Sequence, residues 1–280
     1  MEVGNIGELK LIETIKNFPL VKNIGDDCAV LDYTANHYLL ISTDMLLENI
    51  HFTVGKSNKE QFDNWKPVGI KAITANASDI AAMGGIPLYI FISLGLPSSF
   101  KAIDLKDLYS GFTEAAIPIK GGDIVSSNSV IINICIVGKV EKELIARRSG
   151  AKTGNVVALT GPLGAVASSN YRKLPKSRIK EARKLVKTKA ITSMTDISDG
   201  LARSIIEIKK ESKVDIKLNS ESIPLAPEAT IDNALNGGED YELLFTYEEN
   251  HKMPIKSFVI GEVVPIGQGT PLKTKGYTHF

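Results

Sequence analysis

Runs of β-forming apolar residues alternate along this chain with segments of helical periodicity, a pattern that favours an α/β or α+β class over an all-α or all-β one. The alternation predicts strands at "HYLLIST", "PLYIFISLGL", "SVIINICIVGKV", "NVVALTG", "VDIKL", "YELLFT" and "KSFVIGEVV". It predicts helices at Gly7 to Asn17, Trp65 to Met83, Leu105 to Ala116, Ser177 to Lys187 and Leu201 to Ser212. The polar, glycine-bearing stretch "EKELIARRSGAKTGN" follows a long strand and places a domain boundary near Arg147 to Gly154. The chain then divides into an α/β domain over residues 1–147 and an α+β domain over 148–280. A length of 280 residues suits two domains of roughly 140 each. The strand endings "CIVGKV" and "FVIGEVV" echo one another across the boundary in too few positions to make a repeat.

Composition narrows the function classes. With 23% charged residues and a formal net charge of +1, the chain has neither the basic excess of an electrostatic nucleic-acid binder nor an acidic tail. No apolar run approaches the ~20 residues that span a bilayer, and the first residues lack the apolar core of a signal peptide, so a soluble protein is expected. The two cysteines, Cys28 and Cys135, sit in or beside apolar stretches, which suggests neither a disulfide framework nor a zinc knuckle and fits a reducing cytoplasm.

The chemistry lies in the acids. "TDISDGLARS" sets Asp196 and Asp199 three residues apart on a turn that leads into an apolar helix. Read alone, Asp199 serves equally well as a helix cap beside the positive end of the helix dipole. The same theme recurs in "NIGDDCAVLD" with Asp26 and Asp27, "LLISTDMLL" with Ser42, Thr43 and Asp44, "KGGDIVSS" with Asp123, and "NGGEDYELLF" with Glu239 and Asp240. Each time an acid follows glycine or a hydroxyl at the edge of an apolar strand. Glycine permits a tight turn or a close approach, and a carboxylate beside it suits a hard cation. Each acid taken singly is also ordinary turn chemistry.

Asp79 is harder to assign to a turn. In "VGIKAITANASDIAAMGGIP" it shares a helical face with Ala72, Ala75, Asn76, Ala82 and Met83. An ionised carboxylate among alanines costs several kcal/mol unless it is paired or binds a metal, and no Lys or Arg stands within one turn on that face. Should Asp27, Asp44, Asp79, Asp123, Asp196 and Asp199 converge, their repulsion at a few ångströms demands bound cations. Oxygen ligands without His or Cys point to magnesium, which commonly bridges to nucleotide phosphates, and so to phosphoryl transfer or ATP hydrolysis. No Walker A segment and no kinase-type glycine loop is present, so metals and basic side chains have to hold the phosphates.

Together the motifs resemble the thiamine-monophosphate kinase family, within the superfamily that shares the aminoimidazole ribonucleotide synthetase-like fold. The resemblance runs from "GELKLIETI" through "GDDCAVL", "ISTDMLLENIHF", "NASDIAAMGGIPLYIFISLGLP", "GGD", "RSGAKTGNVVALTG" and "TDISDGLARS" to "NGGEDYELLF" and "GYTHF". It implies that Asp27, Ser42, Thr43, Asp44, Asp79, Asp123, Asp196 and Asp199 hold several magnesium ions, and that Gly122, Asp123, Arg148 and Ser198 contact ATP. By the same resemblance His51, Glu239 and Tyr277 contact thiamine monophosphate, and the acceptor phosphate attacks in line without a phosphoenzyme. The implied assembly is a homodimer whose N-terminal strands close a barrel across the subunit interface.

This chain departs from the family pattern at Ile124, where a threonine is common after "GGD", in a longer "TVGKSNKEQFDN" connection and in a shorter segment around "SSNYRKLPKSRIKEARKL". A sister ATP-dependent enzyme of the superfamily is one alternative, although the reactive cysteines that two such enzymes need are absent. The others are a nucleotide or thiamine phosphate binder that has lost turnover, and a purely structural oligomer.

Overall fold

The structure, a computed structural model, describes residues 7–22, 24–55 and 60–272. Two five-stranded sheets carry it. The first is ordered β1-β2-β5-β3-β4, from β1 (Ala29–Asp32), β2 (His37–Leu47), β3 (Ile86–Leu96), β4 (Ile119–Ser126) and β5 (Ile131–Glu141). Only β3 and β4 run parallel, and α3 (Ala102–Phe112) makes that crossover. The second sheet is antiparallel throughout and ordered β7-β9-β6-β10-β8. Its strands are β6 (Val156–Leu159), β7 (Ile191–Asp196), β8 (Asp215–Leu218), β9 (Leu243–Tyr247) and β10 (Phe258–Val264). The remaining helices are α1 (Glu8–Lys16), α2 (Lys66–Ala82), α4 (Ala165–Ser168), α5 (Ile179–Val186), α6 (Leu201–Ser212) and α7 (Ile231–Asn236).

All seven expected strands and five expected helices form, with ends shifted by a few residues. Three strands beyond the expected seven are too short or too polar to read as long apolar runs: β1 has four residues, β4 reads "IKGGDIVS" on the sheet's edge, and β7 reads "ITSMTD". Both sheets are open at their edges among the described residues, so a single chain closes no barrel.

Helix α2 is the element that locates the site. Its sequence suggests one small, buried face, yet thirteen of its residues are buried, on all sides. It lies on β2 and β5 of the first sheet, crosses α3, and touches α5 and β7 of the second half. The crossing with α3 is close because a Cβ at Gly69 would stand 2.4 Å from the Leu108 carbonyl oxygen, and one at Gly111 would stand 2.1 Å from that of Lys66. A helix enclosed by packing partners has no need of amphipathic periodicity.

Candidate metal and phosphate site

Four elements bring the acids together. Asp27 sits on the turn ahead of β1, Asp44 on β2, Asp79 in the last turn of α2 and Asp196 at the end of β7. A carboxylate oxygen from each of Asp27, Asp79 and Asp196 lies within 4.8 Å of the other two. Local chemistry explains how they are held. Ser42 and Asp44, two residues apart on a strand, point to the same face, and the Ser42 hydroxyl donates to Asp79 Oδ2 at 2.5 Å. The Ser78 hydroxyl donates across the cleft to Asp196 Oδ2 at 2.7 Å. Asp27 Oδ1 accepts from Thr195 Oγ1 and from Arg148 Nη2, both at 2.9 Å. The other oxygen of Asp27, Oδ2, is buried with no hydrogen-bond partner.

That arrangement is costly without a cation. Burial, opposed by Arg148, raises the Asp27 carboxyl from its ordinary 3.8 to about 6. Burial and then the charges of Asp44, Asp196 and Asp27 push Asp79 well above the usual carboxylate range. Asp196 is raised well above it too, by burial and by Asp27. Arg148 answers only part of this charge, since it also bonds Glu207 at 3.1 Å and donates from Nε to Thr195 Oγ1 at 3.3 Å. An oxygen-only donor set, an orphaned buried carboxylate oxygen and an excess of negative charge fit a hard divalent cation.

The linkage has a definite sign. Between pH 3.8 and about 6 the native chain keeps a proton on Asp27 that the unfolded chain has lost, so the cluster's contribution to stability declines as pH rises through that window. It goes on declining at higher pH as Asp79 and Asp196 ionise. A divalent cation replaces those protons, so the rise in melting temperature produced by Mg²⁺ should be small at pH 5 and grow by roughly 5 °C towards pH 8. Thermal melts in EDTA and in Mg²⁺ across that range check this, and a pH-independent gain counts against the cluster as the metal site.

The cluster lines one wall of a cavity of about 430 Å³. Ser42, Asp44, His51, Arg148, Ser198, Asp199 and Glu239 line it as well. Asp199 is not the cap of α6, because Gly200 holds that position with φ 95° and no side chain caps the helix. The turn therefore places both of its acids in the cavity. Glu239 reaches it from a loop seated by close contact, since a Cβ on Gly238 would stand 2.4 Å from the Ser198 carbonyl oxygen. The neighbouring acids are structural: Asp240 accepts from the backbone N–H of Gly164 at 2.6 Å, and Glu242 accepts from Thr160 Oγ1 at 2.6 Å and pairs with Arg178.

Other expected residues lie elsewhere. Thr43 points to the opposite face of β2 from Ser42 and Asp44, is exposed, and donates to Asn133 at 3.2 Å. Gly122 and Asp123 are exposed on β4. Strand register runs Asp44, Ile134, Ile92, Gly122, so Gly122 is level with Asp44 but three strand spacings away, about 14 Å. Ile124 is on the same edge strand and exposed. Tyr277 lies outside the described residues.

The cavity also contains residues that sequence reading missed. Lys71 is 2% exposed; its Nζ meets Glu239 Oε2 at 2.8 Å and donates to the His51 carbonyl at 2.5 Å. A lysine eight positions before Asp79 in an alanine-rich helix was the available signal. Tyr171 and Tyr241 line the cavity as well. Burial and the nearby carboxylates push the Cys28 thiol upward.

Fold and site define a class. Residues 25–140 match the family model described as AIR synthase related protein, N-terminal domain, and residues 152–268 match its C-terminal domain. Within that class, a thiamine-monophosphate kinase of Aquifex aeolicus is 32% identical with all of both chains covered, and one of Methanospirillum hungatei is 32% identical over 96% of this chain and 98% of its own. A solved structure, AaThiL complexed with AMPPCP and TMP, superposes with a TM-score of 0.89 at 31% identity, covering 100% of this chain and 99% of the other. The chain belongs to the thiamine-monophosphate kinase family.

Proposed function

We propose that this protein transfers the γ-phosphoryl group of ATP to the phosphate of thiamine monophosphate, yielding thiamine diphosphate and ADP. The observation that carries this reading is the convergence of Asp27, Asp79 and Asp196 from both halves of the chain on one cavity that Glu239 and His51 also line. The family supplies the substrates: the related AaThiL structure holds AMPPCP and TMP.

The acceptor is a phosphate monoester whose oxygens are already largely ionised near neutral pH. An acceptor oxygen forms the new bond to the γ-phosphorus as the bond to the β,γ-bridging oxygen breaks, and no side chain needs to take a proton. The obstacle is bringing two polyanions together. Magnesium ions, when bound, would neutralise that charge, held by Asp27, Ser42, Asp44, Asp79, Asp196 and Asp199. Arg148 and Ser198 would meet ATP, and His51 and Glu239 would orient the thiamine end, with the Lys71 ammonium fixing the Glu239 carboxylate and the His51 backbone together.

A homodimer completes the proposal. Leu31, Met45, Tyr89, Phe91 and Val125 are exposed on the face of the first sheet turned away from α2. A second copy laid on that face would close the barrel and cover them. Thr43, Gly122 and Asp123 stand on that face or beside it, so they take metal and nucleotide roles only in such an assembly. No helix among the described residues is long and apolar enough to cross a membrane, and both cysteines are free, which suits a cytoplasmic enzyme.

Incubation with ATP, Mg²⁺ and thiamine monophosphate, followed by phosphorus NMR, tests the reading. Thiamine diphosphate and ADP should appear in equal amounts. ATP bound with no new diphosphate would favour a sister reaction or a binding protein.

A further inference from the structure

The segment that follows Gly238 is built to turn one more side chain into the cleft. Along "EDYE" the backbone alternates. Asp240 is fixed on one side by the N–H groups of Gly164 and Val166, at 2.6 and 3.3 Å, and Glu242 is fixed by Thr160 and Arg178. Glu239 and Tyr241 are thereby directed the other way, into the cavity. The chain accepts left-handed backbone at both of these non-glycine residues, φ 59° at Glu239 and φ 48° at Tyr241. Such conformations cost on the order of 1 kcal/mol each and persist only where the surroundings enforce them. Here the enforcing bonds run from the Glu239 N–H to the Ser198 carbonyl at 2.6 Å and from the Tyr241 N–H to the Ile197 carbonyl at 3.0 Å.

Tyr241 is 9% exposed and yet lines the same cavity as Asp44, Asp79, Asp196 and Glu239. Burial first, and then the charges of Glu239, Asp44, Asp196 and Asp79, push its phenol well above the ordinary value, so it keeps its proton at neutral pH. Asp44, Asp79, Asp196, Asp199 and Glu239, which line the same cavity, only accept hydrogen bonds when ionised. A phenol O–H is a neutral donor. It can meet phosphoryl oxygen without adding charge to a site whose carboxylates bound cations would balance, and packing alone does not require the hydroxyl.

We infer that Tyr241 is a further positioning residue of the proposed phosphoryl transfer, its hydroxyl donating a hydrogen bond to a phosphoryl oxygen held between the aspartate cluster and the Glu239 end of the cleft. The inference rests on the functional reading above.

The test is Tyr241→Phe, which removes one oxygen and keeps the ring, assayed for thiamine diphosphate formation in parallel with the parent protein. The expected result is a kcat lowered about 10- to 100-fold, the KM for ATP and for thiamine monophosphate each within about threefold, and an unchanged melting temperature. A kcat within twofold of the parent, or a loss lying wholly in one KM, overturns the inference while leaving the kinase reading intact. A parent protein that makes no thiamine diphosphate overturns the functional reading and this inference with it.

Discussion

An Asp79→Asn variant is expected to lose turnover by about a thousandfold or more and yet to melt, in EDTA, no lower than the parent protein. The first half follows from removing a ligand charge at the point where, in the proposed function, cations would balance two phosphates. The second follows from the cluster's own repulsion. Burial and the charges of three other aspartates press on the Asp79 carboxyl, and no ammonium or guanidinium among the described residues is paired with it. Asparagine keeps the shape and a carbonyl that can accept from Ser42, and it removes one charge from a crowded site. Turnover and paired melts in EDTA and in Mg²⁺ decide the matter. The variant should show a smaller gain from Mg²⁺ than the parent, and normal turnover at limiting Mg²⁺ would remove Asp79 from the metal site.

Replacing Arg148 should behave in the opposite way, costing both fold and function. Its guanidinium bonds Asp27 and Glu207, Thr195 Oγ1 and, at 3.4 Å, the Gly25 carbonyl. Arg148→Met leaves Asp27 buried without its counter-charge, a change that typically costs about 3 kcal/mol. Because Asp27 then takes up a proton more readily, the destabilisation should be larger at pH 8 than at pH 6. Arg148→Lys should recover little, since one ammonium cannot reproduce a fork that reaches four partners. Denaturant melts at the two pH values and a turnover assay measure both effects. An Arg148→Met protein as stable as the parent at pH 8 would show that the clamp carries no weight.

Much of this was legible in the sequence because the decisive residues break local rules. Asp79 among alanines has no satisfactory explanation in propensity, the acids of "TDISDG" gain meaning only beside the other acids of the chain, and the structure places Asp27, Asp44, Asp79, Asp196 and Asp199 around one cavity. Strands with long apolar runs were equally readable. What stayed hidden depends on long-range arrangement. Strand β4 reads as a loop because two glycines and an aspartate sit on an exposed edge, and β7 because its burial comes from β9 and the helices and not from its own "ITSMTD". Lys71 escaped notice because its partner, Glu239, is far along the chain. Thr43 and Asp44 are neighbours in sequence and stand on opposite faces of one strand, a distinction that motif reading alone does not draw.

Polar tethers join the halves of the molecule, among them Ser78 to Asp196, Arg148 to Asp27 and Lys71 to Glu239. Two of them originate on α2, so a single rigid rod holds residues of both sheets at fixed spacing. The cleft is thus set before any nucleotide arrives, and little conformational entropy remains to be lost when one binds. The same tethers couple the two halves: when one unravels, the other loses counter-charges and hydrogen bonds that make its buried carboxylates tolerable, so a single calorimetric transition is expected.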